Sequence, residues 1–234
     1  MFSFRSFPLM AVAAVLLAGA HLGSADASAH TLVTDMVTED RPPPALCSPE
    51  LSSRLAQRCM IVRSYAEEVL RFWWVRDLDS RPAPQRESRL AYPEIHPAAL
   101  LGVVEVMTTW FDYLDQPIDH GVYTLRYLPA PPDPLHHSLL RWRDTLVLVP
   151  VLDDEIPGRA WEAPRLQAAA TDSSRSRHPR SMAIFPTPMR QGPRRQDPPR
   201  LVANEFDQVM LAFWLETIPM SVVVSGSALP STHE

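Results

Sequence analysis

The stretch that bears most directly on the fold is GVYTLRY, at residues 121–127. Its apolar residues occupy every second position, at Tyr123, Leu125 and Tyr127, and the polar Thr124 lies between two of them. Because side chains alternate between the two faces of a strand, this period of two predicts a strand with one buried face and one solvated face. Strands of that kind are typical of antiparallel sheets.

Neighbouring apolar runs predict further strands. The run at 145–152 is apolar on both faces, which indicates a central strand, and the run at 99–108 is rich in β-branched residues. Residues 209–215 and 220–224 lie close together along the chain and predict a hairpin. Residues 65–75 fit a strand or a helix, and their aromatic content favours the strand. Strands at this spacing, without alternating helices, predict a mainly β chain folded as an antiparallel β-sandwich.

Proline separates these strands, because the chain has 25 prolines and only 7 glycines. Ser48 and Pro49 supply a capping side chain and a first-turn proline, so we expect a short N-terminal helix over 48–58. The acidic run DDE at 153–155 is interpreted as a solvated turn. We predict long Pro-rich surface loops at 77–97, 129–142, 153–180 and 186–204.

The N-terminal residues follow the order of a bacterial secretory signal peptide. Arg5 is basic, residues 9–20 are an apolar run, and Ala27 and Ala29 are small residues of the kind that a signal peptidase reads. The run is shorter than the roughly 20 apolar residues of a spanning helix, so we expect no stable membrane insertion after cleavage, an uncleaved anchor being the alternative. The predicted division is a signal peptide at 1–29, a mobile N-terminal arm at 30–46, a single β-sandwich domain at 47–228 and a C-terminal tail at 229–234.

The composition restricts the classes of function. A formal net charge of −5 gives no reason to expect nucleic acid as a partner. The sequence contains no glycine-rich phosphate loop, no HExxH zinc motif and no GxSxG nucleophile motif. We therefore predict a periplasmic or secreted, non-enzymatic binding or accessory module, whose partner is an envelope protein or a small ligand. The loops around 129–142 and 153–180 are its predicted binding surface.

Histidines provide the alternative, a copper- or zinc-binding envelope protein. Cleavage after residue 29 makes His30 the mature N-terminus, where the amine and the imidazole together can chelate copper. Asp133, His136 and His137 lie on one predicted loop, and His178 lies on another. Imidazole and carboxylate groups of this kind are ligands for zinc or copper.

Cys47 and Cys59 lie on either side of the predicted helix. An exported protein reaches an oxidising compartment, where a disulfide is permitted. A continuous helix would place the two cysteines about 18 Å apart, whereas a disulfide requires Cα atoms about 5.5 Å apart. A bridge between them therefore requires the helix to end early. The sequence leaves both the bridged and the unbridged form open.

Together the strands resemble those of a group of exported bacterial hypothetical proteins of unknown function. In that group a GVYTLRY strand is followed by a polar loop, an Arg-Asp pair and an apolar strand. Here the pair is Arg143 and Asp144, directly before the run at 145–152, and the resemblance covers about residues 65–226. It implies export and a β-fold without supplying an activity. From the residues themselves we expect Arg143 and Asp144 to form a structural salt bridge, with Arg126 as another possible partner for Asp144.

Overall fold

The computed structural model describes residues 32–80, 91–112, 115–129, 144–171, 178–186, 197–204 and 206–226. Within these ranges the chain is mainly β, with two short α-helices and one 3-10 helix. No helix in this part of the chain combines the length and the apolar character needed to cross a membrane.

Twelve strands and three short helical segments follow one another along the described part of the chain. The strands are β1 (Asp35–Asp40), β2 (Arg58–Ser64), β3 (Glu67–Trp74), β4 (Leu100–Val106), β5 (Trp110–Phe111), β6 (Pro117–Ile118), β7 (Gly121–Pro129), β8 (Asp144–Pro150), β9 (Ser181–Pro186), β10 (Arg200–Ala203), β11 (Val209–Leu215) and β12 (Ile218–Ser225). The helices are α1 (Pro49–Arg54), a 3-10 turn (Val151–Asp153) and α2 (Ala163–Ala170).

Ten of the described strands form one antiparallel sheet in the order β1-β2-β3-β4-β7-β8-β9-β12-β11-β10, and β5 pairs with β6. The edge strands β1 and β10 approach each other, so the sheet is nearly closed and barrel-like. The prediction of a mainly β, antiparallel chain is confirmed. The predicted hairpin is also present, because β11 and β12 pair around a turn at Glu216, whose φ is 53°, with one register shift between Val209 and Met210.

Strand β9 connects the two halves of the sheet. Its first residues pair with β8, from Ser181 opposite Val147, and its last residues pair with β12, from Ile184 opposite Val222. Trp74 of β3 stacks on Phe213 of β11 with ring centroids 4.4 Å apart. The inner faces of the two halves therefore meet in one apolar core.

Strand β7 is buried on both faces. Leu125 lies in the main core, and Thr124, on the opposite face, is also fully buried. The prediction of a solvated face is therefore wrong. The physical reason is α2, whose Leu166 packs with Leu128 of β7 and Val149 of β8. This helix lies within the loop predicted at 153–180, so the sequence analysis does not anticipate it.

The mobile arm predicted at 30–46 is wrong for residues 35–40, which form β1. This strand pairs with β2 along its whole length, from Asp35 opposite Arg63 to Asp40 opposite Arg58. Its sequence, DMVTED, has no apolar alternation, and most of its side chains are only partly buried. Backbone hydrogen bonds to β2, together with Met36 and Val37 packed against the core, hold this edge strand in the sheet.

The predicted N-terminal helix is present but shorter than expected. Leu51 donates its backbone N–H to Ser48 Oγ at 3.1 Å, and Pro49 is in the first turn. The helix ends at Arg54, because Leu55 has an extended conformation. The ambiguous residues 65–75 contain β3, so the strand interpretation was the right one.

Candidate functional site

The outer face of β7 carries a buried ion pair. Arg126 Nε donates to Asp154 Oδ2 at 2.7 Å, and Arg126 Nη2 donates to Asp154 Oδ1 at 3.0 Å. Only 2% of the Arg126 side chain and 0% of the Asp154 side chain is exposed. This two-point geometry is the strong form of an arginine–carboxylate interaction.

Asp154 also accepts two hydrogen bonds from uncharged side chains. Thr124 Oγ1 donates to Asp154 Oδ2 at 2.7 Å, and Trp161 Nε1 donates to Asp154 Oδ1 at 3.0 Å. Each carboxylate oxygen thus receives two donors, which offset the cost of removing the charge from water. The interpretation of residues 153–155 as a solvated turn is wrong for Asp154, although Asp153 and Glu155 are exposed.

Arg126 fixes the neighbouring backbone through its remaining donors. Nη1 donates to the carbonyl oxygen of Ala98 at 2.9 Å, and Nη2 donates to that of Pro157 at 3.1 Å and that of Ile156 at 3.3 Å. Of the carboxylates considered, Asp154 and not Asp144 is therefore the partner of Arg126. Arg126 and Asp144 lie on opposite faces of the sheet, because Asp144 contacts Tyr127, the next residue along β7.

A cleft of about 740 Å³ lies beside this ion pair. Four parts of the chain line it: α1, residues 75–79, residues 96–100 and residues 157–161. The buried Arg126 also lines the cleft, so its hydrogen bonds tie the segment at 157–161 to β7 at the cleft floor. The cleft is assembled from segments far apart in the sequence, which is why no local motif predicted it.

Charged side chains of both signs surround the cleft. Glu50, Asp77 and Asp79 line it with exposed carboxylates. Arg54 Nη2 donates to the backbone oxygen of Asp77 at 3.2 Å, and Arg159 Nη1 donates to a backbone oxygen at 2.7 Å. Among the described residues, none of these five side chains forms an ion pair with another charged side chain. Their charges therefore remain available at the mouth of the cleft.

Two ring side chains contribute to the cleft as well. The Arg159 guanidinium lies over the Trp161 ring, 5.2 Å from its centroid, which is within cation–π range. Trp161 also packs against the apolar residues beneath α2 and donates its indole N–H to Asp154. His96, which is partly buried, lines the cleft near the residues that follow β3.

Asp144 occupies a different buried site at the start of β8. Its Oδ2 accepts hydrogen bonds from the Tyr92 backbone N–H at 2.9 Å and from Tyr127 Oη at 2.8 Å. Burial raises the pKa of Asp144, and these hydrogen bonds counteract part of that effect. Arg143 lies outside the described residues, so the salt bridge between Arg143 and Asp144 stays a prediction.

The predicted metal ligands fall mostly outside the described part of the chain. His30, Asp133, His136 and His137 all lie there. His178 is described and exposed, shortly before β9. Within the described ranges, no group of three or more His, Cys, Asp or Glu side chains is arranged to hold a metal ion. The metal-site hypothesis stays a prediction, because four of its five residues lie outside the described ranges.

Cys47 and Cys59 are both buried, and the structure gives them as free thiols. Burial raises the pKa of Cys47 to about 11 and that of Cys59 to about 12. The early end of α1 at Arg54 meets the condition that a bridge between them would require. Both cysteines pack in the main core.

Comparison of the chain with protein-family models, with curated proteins and with solved structures finds no match. What the site can do is therefore inferred from its own geometry. The described residues bring together Arg126, which lines the cleft and is held by the buried Asp154, and charged side chains of both signs around the cleft that form no ion pair with one another. A site built in this way can bind and orient a polar molecule.

Proposed function

We propose that this chain is an exported, periplasmic or secreted protein that works as a non-enzymatic binding or accessory module and holds a small ligand in the cleft. The observation that carries the proposal is the buried ion pair under the cleft. Arg126 binds Asp154 and the backbone of Pro157, so the wall at 157–161 is fixed before any ligand arrives. A preformed site of this kind spends little free energy on ordering when it binds.

The sheet supports this role as a scaffold. We infer a sandwich-like arrangement in which the two halves of the sheet pack face to face, because Trp74 stacks on Phe213 across the core. The predicted binding loop at 153–180 contributes residues 157–161 to the cleft. The other predicted binding loop, at 129–142, lies almost entirely outside the described residues.

Gly158 allows a sharp test of the cleft. It lines the cleft, and a Cβ added there meets no other atom within 4 Å. Gly158→Trp therefore adds a large side chain at the cleft wall without a clash at its Cβ, and we expect it to obstruct the cleft and leave the fold intact. The mature chain is screened by thermal shift against amino acids, dipeptides, sugars, organic acids and nucleosides, and each hit is measured by calorimetry. We expect at least one compound to bind the wild type and to lose its affinity in Gly158→Trp.

Tyr65→Trp is the matched control, because Tyr65 is exposed in the turn between β2 and β3 and does not line the cleft. It should bind as the wild type does. If every hit binds Gly158→Trp unchanged, or if no compound binds the wild type, the cleft is not the binding site proposed. Metal analysis of the same protein serves the alternative function, since stoichiometric copper or zinc would favour a metal-binding protein.

Export is tested separately. Mass spectrometry of the protein recovered from cells should show a mature chain that begins at His30, or at Ser28 or His21. This expectation rests on the order of Arg5, the apolar run at 9–20 and the small residues before His30. An intact chain from Met1 that fractionates with the membrane would contradict it.

A further inference from the structure

We infer that the seam between β1 and β10 binds an extended peptide, which pairs with β1 as an added strand. The peptide carries apolar side chains at alternate positions and a net positive charge. The seam is separate from the cleft, because no residue of β1 or β10 lines the cleft. The inference therefore goes beyond the proposed function and does not depend on it.

The backbone of β1 offers hydrogen bonds on its free side. Arg41 donates its backbone N–H to the carbonyl oxygen of Gln57 at 2.9 Å, which continues the register of β1 and β2. In an antiparallel pair, alternate residues exchange both backbone bonds with the partner strand. Met36, Thr38 and Asp40 therefore direct their N–H and carbonyl groups away from β2. Within the part of the chain that the structure describes, no backbone group pairs with them on that side.

Strand β10 lies at the opposite edge of the sheet and does not fill this place. Asn204 donates its backbone N–H to the carbonyl oxygen of Gln208 at 3.0 Å, which continues the register of β10 and β11. By the same alternation, Leu201 and Ala203 direct their backbone groups away from β11. The two edges approach each other without forming a ladder. The four-residue β10 moves aside by about one strand spacing, roughly 4.8 Å, when a strand is added to β1.

The core is incompletely covered at the same place. Met36 of β1 and Leu201 of β10 pack against the main core but are only partly buried. Their register partners, Val62 and Leu211, are fully buried. An added strand covers the exposed part of Met36 if its own apolar residues point to the same face, and alternate residues of a strand share a face. Apolar residues at alternate positions are therefore part of the chemistry of the partner.

The charge of β1 determines the rest of that chemistry. Its sequence, DMVTED, contains acidic residues and no basic one. In the described ranges Asp35 forms no ion pair, and Asp40 lies 3.9 Å from Arg58 with both side chains exposed. A second copy of this chain would bring the same acidic strand to the seam, and like charges opposite each other destabilise a strand pair. A basic peptide is favoured for the same reason, because opposite charges across a strand pair stabilise it.

The test is calorimetry of the mature chain with the capped peptide RVTVTVTR and with its charge-reversed counterpart EVTVTVTE. We expect RVTVTVTR to bind, and EVTVTVTE to bind at least about 10-fold more weakly. Valine side chains on the core face place the valine amides opposite Met36 and Thr38, so methylation of the valine nitrogens should abolish binding. Methylation of the threonine nitrogens, which face away from β1, should weaken binding by less than about threefold.

Thr38→Pro tests the same edge from the side of the protein. It removes a backbone N–H that faces the seam and leaves the bonds of the neighbouring residues to β2 in place, a position where a sheet tolerates proline. We expect it to bind RVTVTVTR about 10-fold more weakly. Thr38→Val is the matched control, because it keeps the N–H, and it should bind as the wild type does. Gly158→Trp should also bind as the wild type does, since it changes the cleft and not the seam.

Amide hydrogen exchange of the wild type decides the matter even if Thr38→Pro does not fold. In the free chain the amides of Met36 and Thr38 should exchange faster than those of Val37 and Glu39, and RVTVTVTR should slow them. If they are as protected as Val37 without peptide, β10 closes the seam and the inference is overturned. It is also overturned if neither peptide binds, if EVTVTVTE binds as tightly as RVTVTVTR, or if the two methylated forms bind equally.

Discussion

Arg126 and Asp154 hold each other through two hydrogen bonds, of 2.7 and 3.0 Å, at a position that water does not reach. They belong to segments that are separated in the sequence by β8, so the pair joins the centre of the sheet to the segment that follows it. Arg126 of this pair also lines the cleft and anchors its wall at Pro157. The pair that stabilises this part of the fold therefore also positions the wall of the cleft.

The first prediction concerns removal of one charge from this pair. Asp154→Asn leaves the Arg126 guanidinium buried without its counter-charge, and breaking a buried pair in this way costs about 3–5 kcal/mol of unfolding free energy. Urea denaturation of the two proteins measures the difference. Asp153→Asn, one residue away and exposed, should change the unfolding free energy by less than about 0.5 kcal/mol. Equal effects at the two positions would mean that Asp154 is solvated.

The second prediction concerns the two faces of β7. Leu125→Ala should cost about 2–5 kcal/mol, because it leaves a cavity in the main core. Thr124→Ala should cost about 1–3 kcal/mol, because Asp154 then lacks a buried donor that lies 2.7 Å away. Thr217→Ala, in the exposed turn before β12, is the control and should have almost no effect. A loss at Thr124 as small as that at Thr217 would restore the solvated face that the alternating pattern predicts.

Some elements could be predicted because their cause is local. The alternation in residues 121–127 and the apolar run at 145–152 indicate strands wherever their faces are covered, and Ser48 with Pro49 starts a helix from within its own turn. Strand β1 could not be predicted, because its pairing with β2, rather than its own side chains, makes it a strand. The alternation also could not show what covers the second face of β7.

The candidate site lies beyond local sequence reasoning for a similar reason. In the run at 153–155 every residue is acidic, and nothing in the run itself shows that the middle one meets Arg126. The cleft depends on where the residues after β3 and the segment at 157–161 come together. Asp154 differs from other acidic residues because it is buried against Arg126, and Asp77 differs because it lines the cleft. Residue type alone shows neither of these positions.

The third prediction uses the pH dependence of stability at Asp144. Burial raises the pKa of this carboxyl above its ordinary value of 3.8, so the folded chain binds the proton more tightly than the unfolded chain does. The resulting stabilisation is complete below pH 3.8 and is lost as the pH rises through the higher folded-state pKa. The unfolding free energy of Asp144→Asn has no such pH-dependent contribution from this position, because an amide does not titrate in this range.

We therefore expect the unfolding free energy of Asp144→Asn to increase relative to that of the wild type as the pH rises from about 3 towards about 7, by the linkage relation. Denaturant midpoints at several pH values measure this difference. A difference that does not change with pH, or that moves in favour of the wild type, would show that the folded chain does not raise the pKa of Asp144.

The last prediction concerns the seam between β9 and β12. Ser221 and Phe185 are register partners across this seam, and Tyr92 joins them from a neighbouring segment. The Ser221 backbone N–H donates to Tyr92 Oη at 3.1 Å, and Tyr92 Oη donates to the carbonyl oxygen of Phe185. The hydroxyl thus takes part in closing the sheet at the strand that connects its two halves.

Tyr92→Phe removes the hydroxyl and keeps the buried ring, so the core volume is almost unchanged. The Ser221 N–H and the Phe185 carbonyl then each lose one hydrogen bond, and the loss of a hydrogen bond of this kind costs about 0.5–1.5 kcal/mol. Amide hydrogen exchange should show Ser221 exchanging faster than in the wild type, together with a lower urea midpoint. Tyr65→Phe, at a side chain that is 72% exposed, is the control and should change neither measurement. If Tyr92→Phe also leaves both unchanged, β9 and β12 close the seam by their own backbone hydrogen bonds, and the Tyr92 hydroxyl contributes nothing to it.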